Sequence, residues 1–169
     1  TIGCKYVVAP EPPAAYRRKE GYLQMVRESE TFALKFANTR LVYCYHNSVQ
    51  DLEKFGRRTG LEILFEESDP VLFNAELDVY GIQIGGGDPV AWIRRLKGRV
   101  PLLHLRDVGV SGNRQVEVEV GEGNMNWSAI LNASRDAGVI WYIIGQQTTT
   151  RDPFESLAIS MRNLCYMRR

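Results

Sequence analysis

Two histidines and one aspartate stand at the ends of three apolar runs, where together they could bind a metal. The chain has only two histidines. His46 and His104 end the runs RLVYCYH and RVPLLH, and Asp78 ends the run AELD. Imidazole and carboxylate ligands suit divalent transition metals. The alternative interpretation is that each histidine is a hydrogen-bonded rim residue and that Asp78 caps a neighbouring loop.

Further polar residues could contact a ligand at the same place. Arg106 is two residues after His104, so both side chains lie on one face of a strand, and a guanidinium there could bind a hydroxyl, carboxylate or phosphate group. A surface ion pair is the alternative. Glu122, in the glycine-rich segment GEGN, could be a general base or a solvated turn residue.

Positioning these residues requires a fold in which several strands end at one place. Three Asp-Pro pairs, at 69–70, 88–89 and 152–153, have the pattern of a helix N-cap followed by proline. Helices are predicted over about 16–38 and 153–165. Alternation of strands and helices predicts a parallel sheet, either doubly wound or part of a (β/α)₈ barrel. Six strand candidates precede or follow the helical segments: 5–10, 40–47, 75–84, 99–107, 115–121 and 139–147.

Composition narrows the class of protein. The 169 residues are 44% hydrophobic with a net charge of +1, which predicts one globular domain over 1–169 and gives no electrostatic reason to expect a nucleic acid or membrane partner. Cys4, Cys44 and Cys165 are far apart and odd in number, so a disulfide framework is not expected and a cytoplasmic location is predicted.

The chain resembles the sugar phosphate isomerase/epimerase group of the xylose-isomerase-like TIM barrels. The likeness runs from about residue 2 to 164 and depends on the order and spacing of four segments. These are YHNS, ELDVYGIQIGGGDPVAWIRRLKGRVPLLHLRD, VEVGEGNMNWSAIL and GVIWYIIGQQ…RDPFESLAISMRNL.

This resemblance implies an incomplete (β/α) barrel of about six βα units, corresponding to strands three to eight. It implies metal-assisted proton transfer next to the carbonyl of a sugar or keto-sugar. Carried over by position, the metal ligands are His46, Asp78 and His104, and the metal is Mn, Zn, Co or Mg. The implied catalytic residue is Glu122, and the implied substrate contacts are Arg106, Asp107 and Gln146.

Four departures from the family pattern fall at strand ends. Ser48 replaces the last histidine of YHNH, and Gly81 replaces the tryptophan of DVYW. The strand that ends in VEQD in the family has Gly145 and Gln147 here in place of its two carboxylates. Loss of an anionic ligand weakens metal binding, and loss of the base removes the residue that takes the proton.

The sequence therefore predicts a sugar isomerase/epimerase-like protein with impaired activity and a metal that is weakly held or lost. The alternative is a non-catalytic sugar-binding barrel fragment, natural or an engineered scaffold. Because a partial barrel leaves open sheet edges, we expect a homo-oligomer or a partner that completes the barrel.

Overall fold

The computed structural model describes residues 3–167. Its strands are β1 (Tyr6–Ala9), β2 (Val42–His46), β3 (Lys54–Phe55), β4 (Arg58–Thr59), β5 (Asn74–Asp78), β6 (Leu102–Leu105), β7 (Asp107–Ser111), β8 (Arg114–Val118) and β9 (Trp141–Ile144). Its helices are α1 (Lys19–Leu34), α2 (Gly60–Glu67), α3 (Val79–Ile84), α4 (Pro89–Arg95), α5 (Trp127–Ala137) and α6 (Pro153–Met167). None of the helices in residues 3–167 combines the length and apolar content needed to cross a bilayer.

Five strands form one parallel sheet in the order β1, β2, β5, β6, β9. The sheet is curled, and with its helices it forms part of a TIM barrel, which confirms the predicted fold class. In a parallel sheet all strands end at the same edge, so the residues that follow each strand meet at one mouth.

The sixth predicted strand is not part of this sheet. Residues 115–121 mostly form β8, which pairs antiparallel with β7 through the two-residue turn Gly112-Asn113. A parallel pairing needs a connection of a dozen or more residues, so a strand reached through a two-residue turn can only fold back as a hairpin. Gly112 has a φ of 62°, which suits the first central position of such a turn.

The predicted strand 75–84 is also shorter than expected. It ends at Asp78, and the remainder is the helix α3. The Asp78 carboxylate accepts hydrogen bonds from the backbone N–H groups of Tyr80 and Gly81, which caps this helix. A continuous apolar run cannot by itself distinguish a strand from the helix that follows it.

Two of the three predicted Asp-Pro helix starts are confirmed. Asp88 caps α4 and Asp152 caps α6 through their side chains. The third prediction was wrong, because Asp69 begins a turn in which Leu72 and Phe73 donate backbone hydrogen bonds to its carbonyl oxygen. Only a few residues separate Asp69 from β5, which leaves no room for a helix.

The hydrophobic core lies between the sheet and its helices. Leu77, Leu103 and Leu105 are strand residues and are fully buried. Ile63, Ile93 and Ile130 are helix residues and are nearly or fully buried. Since side chains alternate along a strand, the neighbouring residues of these leucines face the opposite, concave side of the sheet. That side carries the polar residues described below.

Candidate functional site

Three adjacent strands bring two histidines and a glutamate together on the concave side of the sheet. His46 is the last residue of β2 and pairs in register with Glu76 of β5. His104 of β6 pairs with Asp78, which lies two residues after Glu76. Because residues 76 and 78 share one face of their strand, Glu76 lies between the two imidazoles.

The two imidazoles share one carboxylate oxygen. Nδ1 of His46 lies 2.9 Å from Glu76 Oε1, and Nδ1 of His104 lies 3.1 Å from the same atom. The rings meet edge to face with their centroids 4.7 Å apart. One ligand atom from each of these three residues lies within 4.8 Å of the others, a spacing that could hold a metal ion.

The environment of Glu76 favours its charged form. Burial raises the pKa of this carboxyl, but hydrogen bonds and positive charge from His104 and His46 outweigh burial and hold the pKa at about 2. Glu76 is therefore an anion at neutral pH. An anionic oxygen beside two imidazole nitrogens is a donor set typical of zinc and related transition metals.

Asp78, the carboxylate predicted as a metal ligand, is placed beside this group and has other partners. Its Oδ1 caps α3, and its Oδ2 accepts a hydrogen bond from Nη2 of Arg106. The distance from Asp78 Oδ2 to His46 Nε2 is 3.8 Å. Asp78 thus approaches the Nε2 edge of the His46 ring, whereas Glu76 contacts its Nδ1 edge, and the role of Asp78 as a ligand stays a prediction.

Arg106 lies in the cleft at the mouth of the sheet and is 7% exposed. Its guanidinium lies over the Tyr80 ring at 4.4 Å from the centroid, and its Nη1 is 3.8 Å from Glu117 Oε2. The Nε atom is buried and has no hydrogen-bond partner among residues 3–167. The alternative of a surface ion pair does not describe this position, because the ion pair with Asp78 is buried.

Gly145 provides space for His104. A Cβ atom added at Gly145 would overlap with Nε2 of the His104 imidazole. The histidine therefore occupies the room that a side chain at position 145 would need. This gives a physical reason for the glycine at the position where the resembled family has a carboxylate.

The cleft has a volume of about 1030 Å³, and its lining includes the loops after β2 and β9 and the hairpin β7–β8. The loop after β2 contributes Asn47 and Gln50, and the loop after β9 contributes Gln146, a predicted substrate contact. The hairpin β7–β8 contributes Glu117, whose carboxylate accepts hydrogen bonds from the Gln147 backbone N–H at 2.8 Å and the Thr148 hydroxyl at 3.3 Å. The hairpin thereby holds the loop after β9 against the cleft.

Two predicted site residues lie away from the lining of the cleft. Asp107 is fully buried, and its carboxylate accepts hydrogen bonds from five donors. Four donors are backbone N–H groups between 108 and 125, and the fifth is the Trp127 indole at 2.5 Å. Glu122 is exposed and accepts a hydrogen bond from Asn163 at 2.7 Å. Their predicted roles in substrate contact and catalysis stay predictions.

Sequence reasoning missed Glu76 and Glu117. Glu76 could have been found from the strand ELD, because the period of two places it on the same face as Asp78. Glu117 had no such signal, since its position depends on the hairpin folding over the mouth of the sheet.

No protein-family model and no curated protein matches the sequence. Solved structures do match it. Two sugar phosphate isomerase/epimerase structures from Parabacteroides distasonis align over 96% of the chain, with 22% and 19% identity and TM-scores of 0.79 and 0.82. The chain spans 58% and 59% of those two proteins.

A xylose isomerase domain protein from Planctomyces limnophilus is also similar. It aligns over 99% of the chain and 59% of its own length, with 18% identity and a TM-score of 0.70. The chain thus has the fold of part of a TIM barrel and spans about three-fifths of the length of these solved proteins, which confirms the predicted incomplete barrel. Five of the six predicted strands contribute to its parallel sheet. At these identities the likeness establishes the fold.

Proposed function

We propose that the chain binds a divalent metal through His46, Glu76 and His104 and a sugar or keto-sugar in the adjoining cleft. The observation that supports this proposal is the convergence of two imidazoles and an anionic carboxylate at the strand ends. In TIM-barrel enzymes, functional groups gather at this end of the strands. The solved proteins with this fold include sugar phosphate isomerase/epimerases. The free thiols of Cys4, Cys44 and Cys165 fit the reducing cytoplasm that is part of the proposal.

In the proposed reaction class, a proton moves next to a sugar carbonyl. A metal such as Mn, Zn, Co or Mg would supply a Lewis acid that polarises the carbonyl oxygen. Glu76 orients both imidazoles through their Nδ1 atoms. Arg106 has an unpartnered Nε in the cleft and is positioned by Asp78 and Tyr80 to donate a hydrogen bond to a sugar oxygen.

The carboxylates that line the cleft already have partners, which favours weak turnover. Glu117 binds the loop after β9, and Glu119 binds the Ser156 hydroxyl and the Arg151 guanidinium. Asp78 binds Arg106. Proton abstraction needs a carboxylate or similar base within hydrogen-bond reach of the substrate. This observation supports impaired activity, and it also supports the alternative of a sugar-binding module without catalysis.

Restoring the two lost carboxylates tests the catalytic part of the proposal. We expect Gly145→Glu combined with Gln147→Asp to raise isomerase or epimerase turnover of a ketose panel by about 100-fold over the parent, because a positioned general base contributes about that much. The glutamate side chain introduced at position 145 must displace His104, so the matched control is Gly145→Gln with Gln147 retained, which has the same size and no charge. If the double variant still binds Mn²⁺ and its turnover equals that of the parent and the control, the impaired-enzyme proposal is wrong.

The proposal includes self-association of the chain with a second copy. Strands β1 and β9 are the edges of the parallel sheet, and each pairs with a single strand among the described residues. Open edges of this kind present unpaired backbone groups that invite pairing with another chain. Helix α6, which follows β9, buries Ser156 and Ser160 and exposes Phe154 and Met161. An apolar outer face beside an open edge fits a partner that covers both.

Sedimentation velocity tests this association. We expect the parent chain to sediment as a species larger than a monomer and Phe154→Glu to shift it toward the monomer. Val71→Glu is a matched control, since Val71 is 80% exposed and Phe154 is 82% exposed, but Val71 lies in a turn away from α6. A strictly monomeric parent would contradict the association and would show that the open edges are tolerated in water.

A further inference from the structure

We infer that the cleft binds an uncharged sugar and discriminates against a phosphorylated one. This inference rests on the proposed function and narrows its substrate class. Four features support it: the charges that line the cleft, the partners of its two arginines, the capping of the neighbouring helix N-terminus, and the amide and hydroxyl groups of the lining.

Acidic groups exceed basic groups in the lining. The cleft is lined by the carboxylates of Glu11, Asp78, Glu117 and Glu119, against the guanidinium groups of Arg106 and Arg151. When Glu76 and a divalent cation beside it are included, five carboxylates face two guanidinium groups and a charge of +2, so the negative charge exceeds the positive charge by one. A phosphate ester carries about −1.5 to −2 charges at neutral pH. The net field of the cleft therefore disfavours a phosphorylated ligand.

Both arginines are already engaged by carboxylates. Arg106 donates a hydrogen bond to Asp78 and also lies 3.8 Å from Glu117. Arg151 pairs with Glu119 at 3.2 Å, and half of its side chain is exposed to solvent. Phosphate recognition by arginine uses two parallel N–H donors directed at the anion. An incoming phosphate would therefore compete with a carboxylate that already lies at each guanidinium.

The backbone position that takes phosphate in many TIM barrels is filled by a side chain. That position lies in the loops after the last strands, at a helix N-terminus. Here the loop after β9 leads into the fifteen-residue helix α6, and Asp152 accepts hydrogen bonds from the N–H groups of Phe154 and Glu155. The protein's own carboxylate therefore satisfies N–H groups that an anion would otherwise bind at this helix N-terminus.

The uncharged groups in the lining suit sugar hydroxyls. Amide and hydroxyl side chains both donate and accept hydrogen bonds, as hydroxyl groups do. Among residues 3–167, Gln50 Oε1 is a buried acceptor and Arg106 Nε is a buried donor without a partner. Both residues line the cleft. Other amide and hydroxyl residues of the lining include Gln115, Gln147 and Thr149.

Calorimetric titration of the Mn²⁺-treated chain with matched ligands tests the inference. The pairs are D-fructose with D-fructose 6-phosphate and D-xylulose with D-xylulose 5-phosphate, and inorganic phosphate is titrated alone. We expect at least one neutral sugar to bind, its phosphate ester to bind at least about tenfold more weakly, and inorganic phosphate not to bind. A phosphate ester that binds as tightly as its parent sugar, or more tightly, would overturn the inference and leave the proposed sugar function intact.

The outcomes separate this inference from the proposed function. Binding of Mn²⁺ without binding of any sugar would overturn the inference and keep the metal centre. Absence of Mn²⁺ binding would contradict the metal part of the proposed function, while the comparison of each sugar with its phosphate would still decide the substrate class.

A charge variant tests the cause of the discrimination. Glu117→Gln removes one negative charge from the lining and keeps the size of the side chain, so we expect the ratio of the two dissociation constants to fall by about threefold to fivefold. Glu20→Gln makes the same chemical change at an exposed position on α1, outside the cleft, and is expected to leave that ratio unchanged. An unchanged ratio in the Glu117 variant would show that lining charge does not set the selectivity.

Discussion

Replacement of Glu76 by glutamine is expected to lower the affinity of the chain for Mn²⁺ or Zn²⁺ by at least about 100-fold. Changes behind a metal ligand already cost about 10–100-fold in affinity. Glu76 supplies the only anionic oxygen of the His46–Glu76–His104 group and has a pKa of about 2, so an amide there removes a full charge. Isothermal titration of metal-stripped protein measures the effect, and His104→Ala is expected to give a loss of similar size.

Asp78→Asn distinguishes the two carboxylates that the strand ELD presents to the histidines. If Glu76 is the ligand, Asp78→Asn reduces stability through the α3 cap and the Arg106 ion pair, and the metal affinity stays within the same order of magnitude. If Asp78 is the ligand, Asp78→Asn lowers the metal affinity and Glu76→Gln leaves it within the same order of magnitude. Glu122→Gln is the matched control, because it changes an exposed carboxylate to an amide away from the cleft. Undiminished binding in Glu76→Gln would show that our assignment of the metal centre is wrong.

Replacement of Asp107 by alanine is expected to lower the free energy of unfolding by about 4 kcal/mol. The carboxylate is fully buried and accepts five hydrogen bonds, and buried donors that lose their acceptor cost about 1–3 kcal/mol each before the structure relaxes. A Cβ atom at Gly123 would overlap with this carboxylate, which shows how closely the loop wraps around it. Urea unfolding measures the effect.

Two further variants are compared with Asp107→Ala in the urea unfolding experiment. Asp107→Asn keeps an acceptor and is expected to lose about half as much stability. Asp88→Asn changes an exposed helix cap and is expected to cost about 1 kcal/mol or less. A loss below about 1 kcal/mol in Asp107→Ala, together with weaker sugar binding, would instead support the sequence prediction that Asp107 contacts the substrate.

Local patterns predicted the elements that depend on neighbours in the sequence. The apolar runs that contain β1, β2, β5, β6 and β9 were recognisable, and so were the Asp-Pro caps of α4 and α6. Apolar runs and proline act locally, through burial of one strand face and through a missing N–H donor. The same local signal failed at Asp69, where the next strand follows too soon for a helix.

Elements that depend on distant contacts could not be predicted in this way. The run 115–121 has the composition of a barrel strand, and the two-residue turn at Gly112 directs it into a hairpin that contributes Glu117 to the cleft. In the sequence, Gly145 indicates only a lost carboxylate. In the structure, a Cβ atom at Gly145 would overlap with the His104 imidazole, so this histidine occupies the space that a side chain at position 145 would need.

From the residue patterns alone, a parallel α/β sheet was predictable, together with the strand ends that meet at the mouth and the positions of His46 and His104. These features follow from residue type and from the geometry of parallel strands, whereas the barrel was implied by the family resemblance. The tertiary structure places Glu76, and not Asp78, against the Nδ1 atoms of both histidines. Glu76 and Asp78 share a strand face, and the pairing register together with the positions of Arg106 and α3 gives Asp78 other partners and leaves Glu76 between the imidazoles. Register and packing arise from contacts between residues far apart in the chain, which a single sequence does not display.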